Sequence, residues 1–367
     1  MRLFSLARPS LSAVLIGLTM ATIAWADTEN KPPDNASATG SEATASPLPV
    51  LTGGMTFDAA FSPGTQTYSP IVNPIVLMPL GNRLLFETEF NVNSDFTRDS
   101  GVWNPRQLNR EIEYMQLDYL VHPNLTLSVG RILTPFGIYI ERYHPEWIRD
   151  LQVAPIIFGI SHNKSMGTEL RGAVHLSSKV DLTYTGIYSF NATTKYFDGD
   201  RGTGGRTSLF FPEKGAEVGF SYNRRLGAQR FNLYAIDGTW NVKSTPLDLR
   251  TEVFKTEMLG SGYWIEGAYG LKQLSGNSFM RRSQVVLRGE QYFAANQQAM
   301  DTMAGMMMGD NFLPDRDTSR GFAGWNYYLG DALKLSFAFG RSFALGQNQN
   351  IYSAGVTYRF ATGGSQK

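Results

Sequence analysis

The residues with the clearest capacity for chemistry are charged side chains set two apart in apolar surroundings. Glu87 and Glu89 alternate with Phe86, Thr88 and Phe90, Glu169 and Arg171 flank Leu170, and Arg288 and Glu290 follow Leu287. Arg83 and Glu217 occupy matching positions in their own stretches. A period of two sends neighbouring side chains to opposite faces of a strand, so each stretch has one charged face and one apolar face. Carboxylates and guanidiniums gathered on one face act on small ions through their field, by steering or selection, with no covalent step. The plain structural alternative is an ion-pair lattice that braces a wall. Both signs are present, which argues against strong ion selectivity.

Other chemistry-bearing residues carry less. His144, His162, Ser161 and Asp150 lie in one segment and include the side-chain types of a hydrolase, yet no nucleophile motif surrounds them. The four histidines, with His122 and His175 completing the set, lack metal-ligand spacing. Met300, Met303, Met306, Met307 and Met308 could suit Cu(I), but their spacing equally gives one apolar face of a short helix. Arg201 to Arg206 is glycine-rich without the Lys-Ser/Thr of a phosphate loop. Catalytic residues, metal ligands and cofactors are therefore not expected, and a hydrolase remains the alternative class.

The elements that position the charged row are strands. Met115, Leu117, Tyr119 and Val121 oppose Gln116 and Asp118; His122-Pro123-Asn124 turns the chain; Leu125, Leu127 and Val129 return beside it. Comparable pairs recur from Met55 to Phe360, with Thr203 to Phe211 retained because its omission would invert every later strand. The facing of Gln229 to Trp240 and of Leu247 to Glu257 is not fixed by pattern. Short turns then fall at Pro79 to Asn82, His122 to Asn124, Ser177 to Lys179, Pro212 to Lys214, Asn241 to Pro246, Lys272 to Arg281 and Leu329 to Asp331. Ser94 to Arg110, Thr134 to Met166 and Ala294 to Thr318 form long loops at the opposite end. The expected fold is all-β: a transmembrane antiparallel barrel of about sixteen strands, within roughly fourteen to eighteen, with periplasmic turns and extracellular loops.

Composition agrees with this organisation. Residues 1–26 read as a signal peptide, with Arg2 and Arg8 before an apolar run and Ala24-Trp25-Ala26 at the cleavage position. Removing those two arginines leaves 31 basic residues, from the 33 of the whole chain, against 32 acidic ones, a balance that gives no reason to expect nucleic-acid binding. Residues 27–52, rich in Pro, Ser, Thr and Ala, read as a flexible periplasmic segment, 53–360 as the barrel and 361–367 as a tail. No later run reaches the roughly 18 apolar residues of a membrane helix. The chain has no cysteine, which removes disulfides and thiolate metal sites. Within the Thr134 loop, Thr134, Pro135, Phe136, Gly137 and Tyr139 have two readings. They fold inward as a constriction, or they sit at the rim, where Tyr139, Tyr143 and Trp147 join an aromatic girdle; the rim reading is preferred.

Asn73-Pro74-Ile75 through Leu84-Leu85-Phe86-Glu87, Glu113-Tyr114 with Gln116 to Tyr119, Gly130 to Gly137, and Glu141-Arg142 with Pro145 and Trp147 resemble a group of bacterial porin-like proteins. That group is similar to the phosphate-selective porin O and porin P superfamily. The resemblance spans residues 73–147 and implies a sixteen-stranded barrel, often a trimer, with loops folded into the lumen. No arginine ladder or lysine cluster carries phosphate selectivity across. The terminal Tyr358-Arg359-Phe360 resembles the signal read by the barrel-assembly machinery of Gram-negative bacteria, with seven residues following the Phe. Pattern and resemblance together lead to an outer-membrane location and passive diffusion of small hydrophilic solutes or ions. The partners expected are outer-membrane lipids, the assembly machinery and, as one assembly the resemblance allows, a homotrimer. A loop-occluded receptor is the other alternative.

Overall fold

The structure is a computed structural model that describes residues 49–362 apart from 105–106, 159–163, 191, 194–197, 200, 228–229, 275, 296–312, 315 and 345–347. The signal peptide, nearly all of the Asp27 segment, most of the tail, His162, Ser161 and the Met300 cluster lie outside the described residues.

Among the described residues, sixteen strands close one antiparallel barrel. They are β1 Val50–Ser62, β2 Thr65–Leu80, β3 Leu84–Asp99, β4 Gln107–His122, β5 Leu125–Leu133, β6 Lys164–Ser177, β7 Val180–Phe190 and β8 Gly202–Phe211. The second half consists of β9 Ala216–Leu226, β10 Arg230–Val242, β11 Leu247–Thr256, β12 Ser261–Gly270, β13 Ser283–Phe293, β14 Thr318–Tyr328, β15 Leu333–Ala344 and β16 Gln349–Thr362. Each strand pairs with the next, and β1 closes on β16 in a register running from Leu51 opposite Thr362 to Phe61 opposite Tyr352. Closure leaves no free edge to template pairing with another chain.

Alternation is what makes the barrel a membrane object. Val129, Leu170, Val218, Ile236, Val253 and Leu287 lie exposed on the outer face, while Ser128, Glu169, Glu217, Asp237, Glu252 and Arg288 on the same strands are buried on the inner one. An apolar exterior and polar interior on a closed wall is the arrangement lipid demands, since closure lets each strand's backbone pair with a neighbour on both sides. No helix among the described residues is long and apolar enough to cross a membrane; the strands cross it.

The expected alternation of short turns and long loops is present, including the strand kept for topological reasons, which is β8. Three local differences stand out. The Ser94 to Arg110 connection is mostly strand, because β3 runs on to Asp99 and β4 starts at Gln107. The strand run begins at Val50 and ends at Thr362, wider than the 53–360 expected. A β-bulge in β4, where Tyr114 opposes Glu89 but Ile112 opposes Phe90, inserts Glu113 as an extra residue. A bulge reverses the facing of everything beyond it. The run Glu111-Ile112-Glu113, which in strict alternation would put both carboxylates on the side of Met115, therefore turns them from the lipid side.

Candidate functional site

The connection from Thr134 to Phe158 leaves β5 and folds into the barrel. Thr134, Phe136 and Ile138 are buried, and a short helix, α1, Tyr139–Tyr143, follows with no side-chain cap. Gly137 makes the entry bend with φ +67°, and its missing side chain lets the carboxylate of Glu252 in β11 come against the backbone. There the Gly137 N–H donates to Ser221 Oγ at 3.0 Å and the Ile138 N–H to Glu252 Oε2 at 3.3 Å. The inward fold overturns the preferred rim reading: Tyr139 and Tyr143 are buried inside the barrel, and Trp147 lies over Gly54 of β1, where any side chain would strike its ring. The physical reason is apolar. Phe136, Ile138, Tyr139, Ile156 and Ile157 pack on Phe231, Leu233 and Ala235 of β10, Phe254 of β11, Trp264 of β12 and Tyr292 of β13. Burying an aliphatic or aromatic side chain of this size is worth about 1.5–3 kcal/mol, and the rim would forgo most of it.

Charged pairs fix the rest of the loop to the wall. Arg142 grips Glu217 through both guanidinium nitrogens, at 2.5 and 2.6 Å. Asp150 meets Arg250 at 2.7 Å, beginning a chain that runs to Glu266, Arg288, Glu290 and Arg320 across β11 to β14. The Ile156 N–H donates to Glu290, Lys334 of β15 donates to the Arg149 carbonyl, and Gln152 donates to Thr357 of β16. Inside the loop, Arg149 is braced over the rings of Tyr139 and Phe158 at 5.6 and 5.8 Å. On the far side, His144 lies 3.3 Å from Glu113 and 3.9 Å from Glu89, and Lys164 at the start of β6 meets Glu111 and Glu113 at 2.6 and 2.9 Å. Burial, the largest influence on His144, opposes its charged form, but Glu113 and Glu89 outweigh it and raise the imidazole above its ordinary value.

Of the residues singled out by spacing, Glu87, Glu89, Glu169, Glu217, Arg288 and Glu290 are buried with their side chains inside the barrel, and Arg171 is there too. Arg83 is not. It lies exposed in the short turn before β3, its carbonyl accepting from the Leu120 N–H, so the two-residue period that suggested it had already ended. Thr134, Pro135, Phe136, Gly137 and Tyr139 all lie on the inward limb of the loop. Spacing missed Arg206, Asp237, Arg250, Glu252, Glu266, Arg320 and Lys334, each facing the interior. Arg206 pairs with Asp237 at 2.6 Å and Glu217 at 3.1 Å. The signal was present for Lys334, which alternates with Leu333 and Leu335. It was absent for β10 and β11, where Phe231, Leu233 and Phe254 occupy the inward row and Lys255 the outward one. Of the residue types that suggested a hydrolase, His144 is held by carboxylates and Asp150 by an arginine.

Two of the pairs share an asymmetry, while Arg131 with Glu111 reverses it, the guanidinium keeping 1% and the carboxylate 46%. Arg171 keeps 31% of its side chain exposed while its partner Asp118 keeps 1%; Arg142 keeps 26% against 6% for Glu217. The interior face of β6 and β7 around Arg171 is less covered, with Thr183 and Thr185 half-buried, whereas Ser165, Glu169, Ile187 and Ser189 on the same strands are buried.

In sequence, no protein-family model and no curated protein matches the chain. In structure, it is similar to OprB of Pseudomonas putida, with a TM-score of 0.58 at 8% identity over 86% of this chain and 94% of that one. It is also similar to an anion-selective porin from Comamonas acidovorans (0.53, 11% identity, 85% and 99% covered) and to a mutant of the Rh. blastica porin (0.50, 12%, 85% and 100%). These likenesses show the porin fold and do not single out a phosphate-selective branch.

Proposed function

We propose that this chain is a porin of the outer membrane of a Gram-negative cell, giving small hydrophilic solutes a passive path through a barrel that the Thr134 to Phe158 loop narrows to an eyelet. The observation that carries this reading is the one-sided docking of the loop. Apart from Thr134 against Ser165 at the start of β6, its polar anchors lie on β9, β11, β13 to β16, β1, β3 and β4, and Arg171, Thr183 and Thr185 on the wall of β6 and β7 stay partly open to water. Sixteen strands enclose more than one loop fills, which is why barrels of this size hold aqueous channels. Transport would need neither cofactor nor covalent step. The charged pairs mainly brace the loop; because their guanidinium partners are the wetter ones at Arg142 and Arg171, the eyelet edge is mildly cationic and favours anions.

Single-channel recording in a planar bilayer tests this directly. Stepwise conductance that rises on removing the loop's Arg142 anchor is expected. A detergent-purified, folded barrel that inserts without conductance would sink the channel reading and leave a closed receptor in its place.

A further inference from the structure

Toward the loop-bearing rim, a cavity of about 250 Å³ lies between the returning limb of the folded loop and the inner wall of β14 to β16. It is separate from the Arg142 and Arg171 edge. Register places its wall residues on one face: Arg320 opposes Ser342, Thr318 opposes Ala344, and Ser342 opposes Gln349. Arg320 is held in position rather than neutralised in the open. Its guanidinium donates to Glu290 through Nε and Nη2, at 3.3 and 2.7 Å, and through Nη2 to the Ala154 carbonyl at 3.1 Å, with Glu290 shared by Arg288 and fully buried, while Arg320 keeps 17% exposure. Arg316 lines the same cavity. Thr318, Ser342 and Gln349 supply neutral hydrogen-bonding groups, whereas Ile156 and Ile351 form an aliphatic side.

We infer that this cavity is a vestibule binding site for small organic carboxylates with a short aliphatic body. The charge selects an anion, since the guanidinium edge of Arg320 not turned to Glu290 can donate a hydrogen bond of the stronger, charge-assisted class. The isoleucine side favours an organic one, since a short alkyl chain can bury against Ile156 and Ile351. The volume falls below the roughly 300–1,000 Å³ of drug-sized pockets, which fits a solute of a few carbons. Its role, holding the solute above the eyelet before passage, rests on the channel reading; the binding itself does not.

Calorimetry on the folded full chain in detergent separates the two. Sodium butyrate is the probe, with sodium phosphate and n-butanol as the charge-only and alkyl-only arms. Butyrate is expected to bind, phosphate and butanol to bind at least about tenfold more weakly, and Arg320→Gln to weaken butyrate about tenfold or more, the usual worth of one charged hydrogen bond. Because Arg320→Gln also releases a loop contact, Ala344→Phe provides a second variant that fills the cavity without touching that pair, and it should abolish the heat. Equal binding of phosphate and butyrate, or butyrate heat retained in Ala344→Phe, would overturn the site. Butyrate binding by a barrel that carries no current would keep the site and remove the channel.

Discussion

Arg142, carried into the barrel on the short helix α1, clasps both carboxylate oxygens of Glu217 on β9, at 2.5 and 2.6 Å. The bond joins residues 75 apart in sequence and makes the loop a strut across the lumen instead of a free flap. Truncation by Arg142→Ala should leave Glu217 buried with Arg206 and Ser208 as remaining partners, at a cost of about 1–3 kcal/mol. Part of that cost is offset by water, since Arg142 is partly exposed. The expected outcome is a lower midpoint of thermal unfolding together with a larger and noisier single-channel conductance. Unchanged conductance would show that the loop does not narrow the path.

Gly137 tests the entry bend. Its φ of +67° is a conformation that costs an ordinary residue about 1–2 kcal/mol, and a side chain there would run into Glu252. Gly137→Val is therefore expected to loosen the loop with the barrel wall intact. Limited proteolysis should cut within residues 134–158 faster than in the native protein, while the β-sheet circular dichroism is unchanged. Equal protection of the loop in both proteins would refute the bend's role.

Much of the barrel was legible because lipid enforces a period of two. The turn at Pro123-Asn124, the need for β8 and the inward row of Glu87, Glu89, Glu169 and Glu217 all follow from that rule. It breaks where the interior is itself apolar. Phe231, Leu233 and Phe254 face inward because the folded loop supplies them with Phe136 and Ile138, partners far away in sequence and invisible to a local pattern. The same partners explain why Tyr139 and Tyr143 sit in the lumen and not in a lipid girdle. The bulge at Glu113 is a second failure of locality, because one inserted residue exchanges faces without altering composition. Arg83 shows the opposite error: alternation was extended one residue past the strand's end.

The exposed edge of Arg171 should set ion preference. Its partner Asp118 is buried, so the charge that a passing ion meets is the guanidinium. Under a KCl gradient, reversal potentials should indicate anion preference for the native protein. Arg171→Gln should move them toward zero or to cation preference, and Arg171→Lys should restore much of the shift. A native reversal potential of the cationic sign would contradict the proposed edge.

His144 gives the docked loop a pH dependence whose sign can be worked out. Burial lowers its proton affinity, but Glu113 and Glu89 raise it further, so the folded-state value lies above that of the unfolded chain. A raised histidine stabilises the fold fully below the unfolded value of about 6.5 and loses that contribution as pH climbs through the folded one. The imidazolium joins α1's end to β3 and β4, so its loss should free this side of the loop first. Thermal midpoints are expected to fall as pH rises above the unfolded value of about 6.5, with conductance becoming noisier over the same range. His144→Gln, unable to titrate, should flatten both profiles in that window, leaving a uniformly weaker attachment. A native midpoint that rises across the window, or an identical slope in His144→Gln, would mean that this pair does not control the loop.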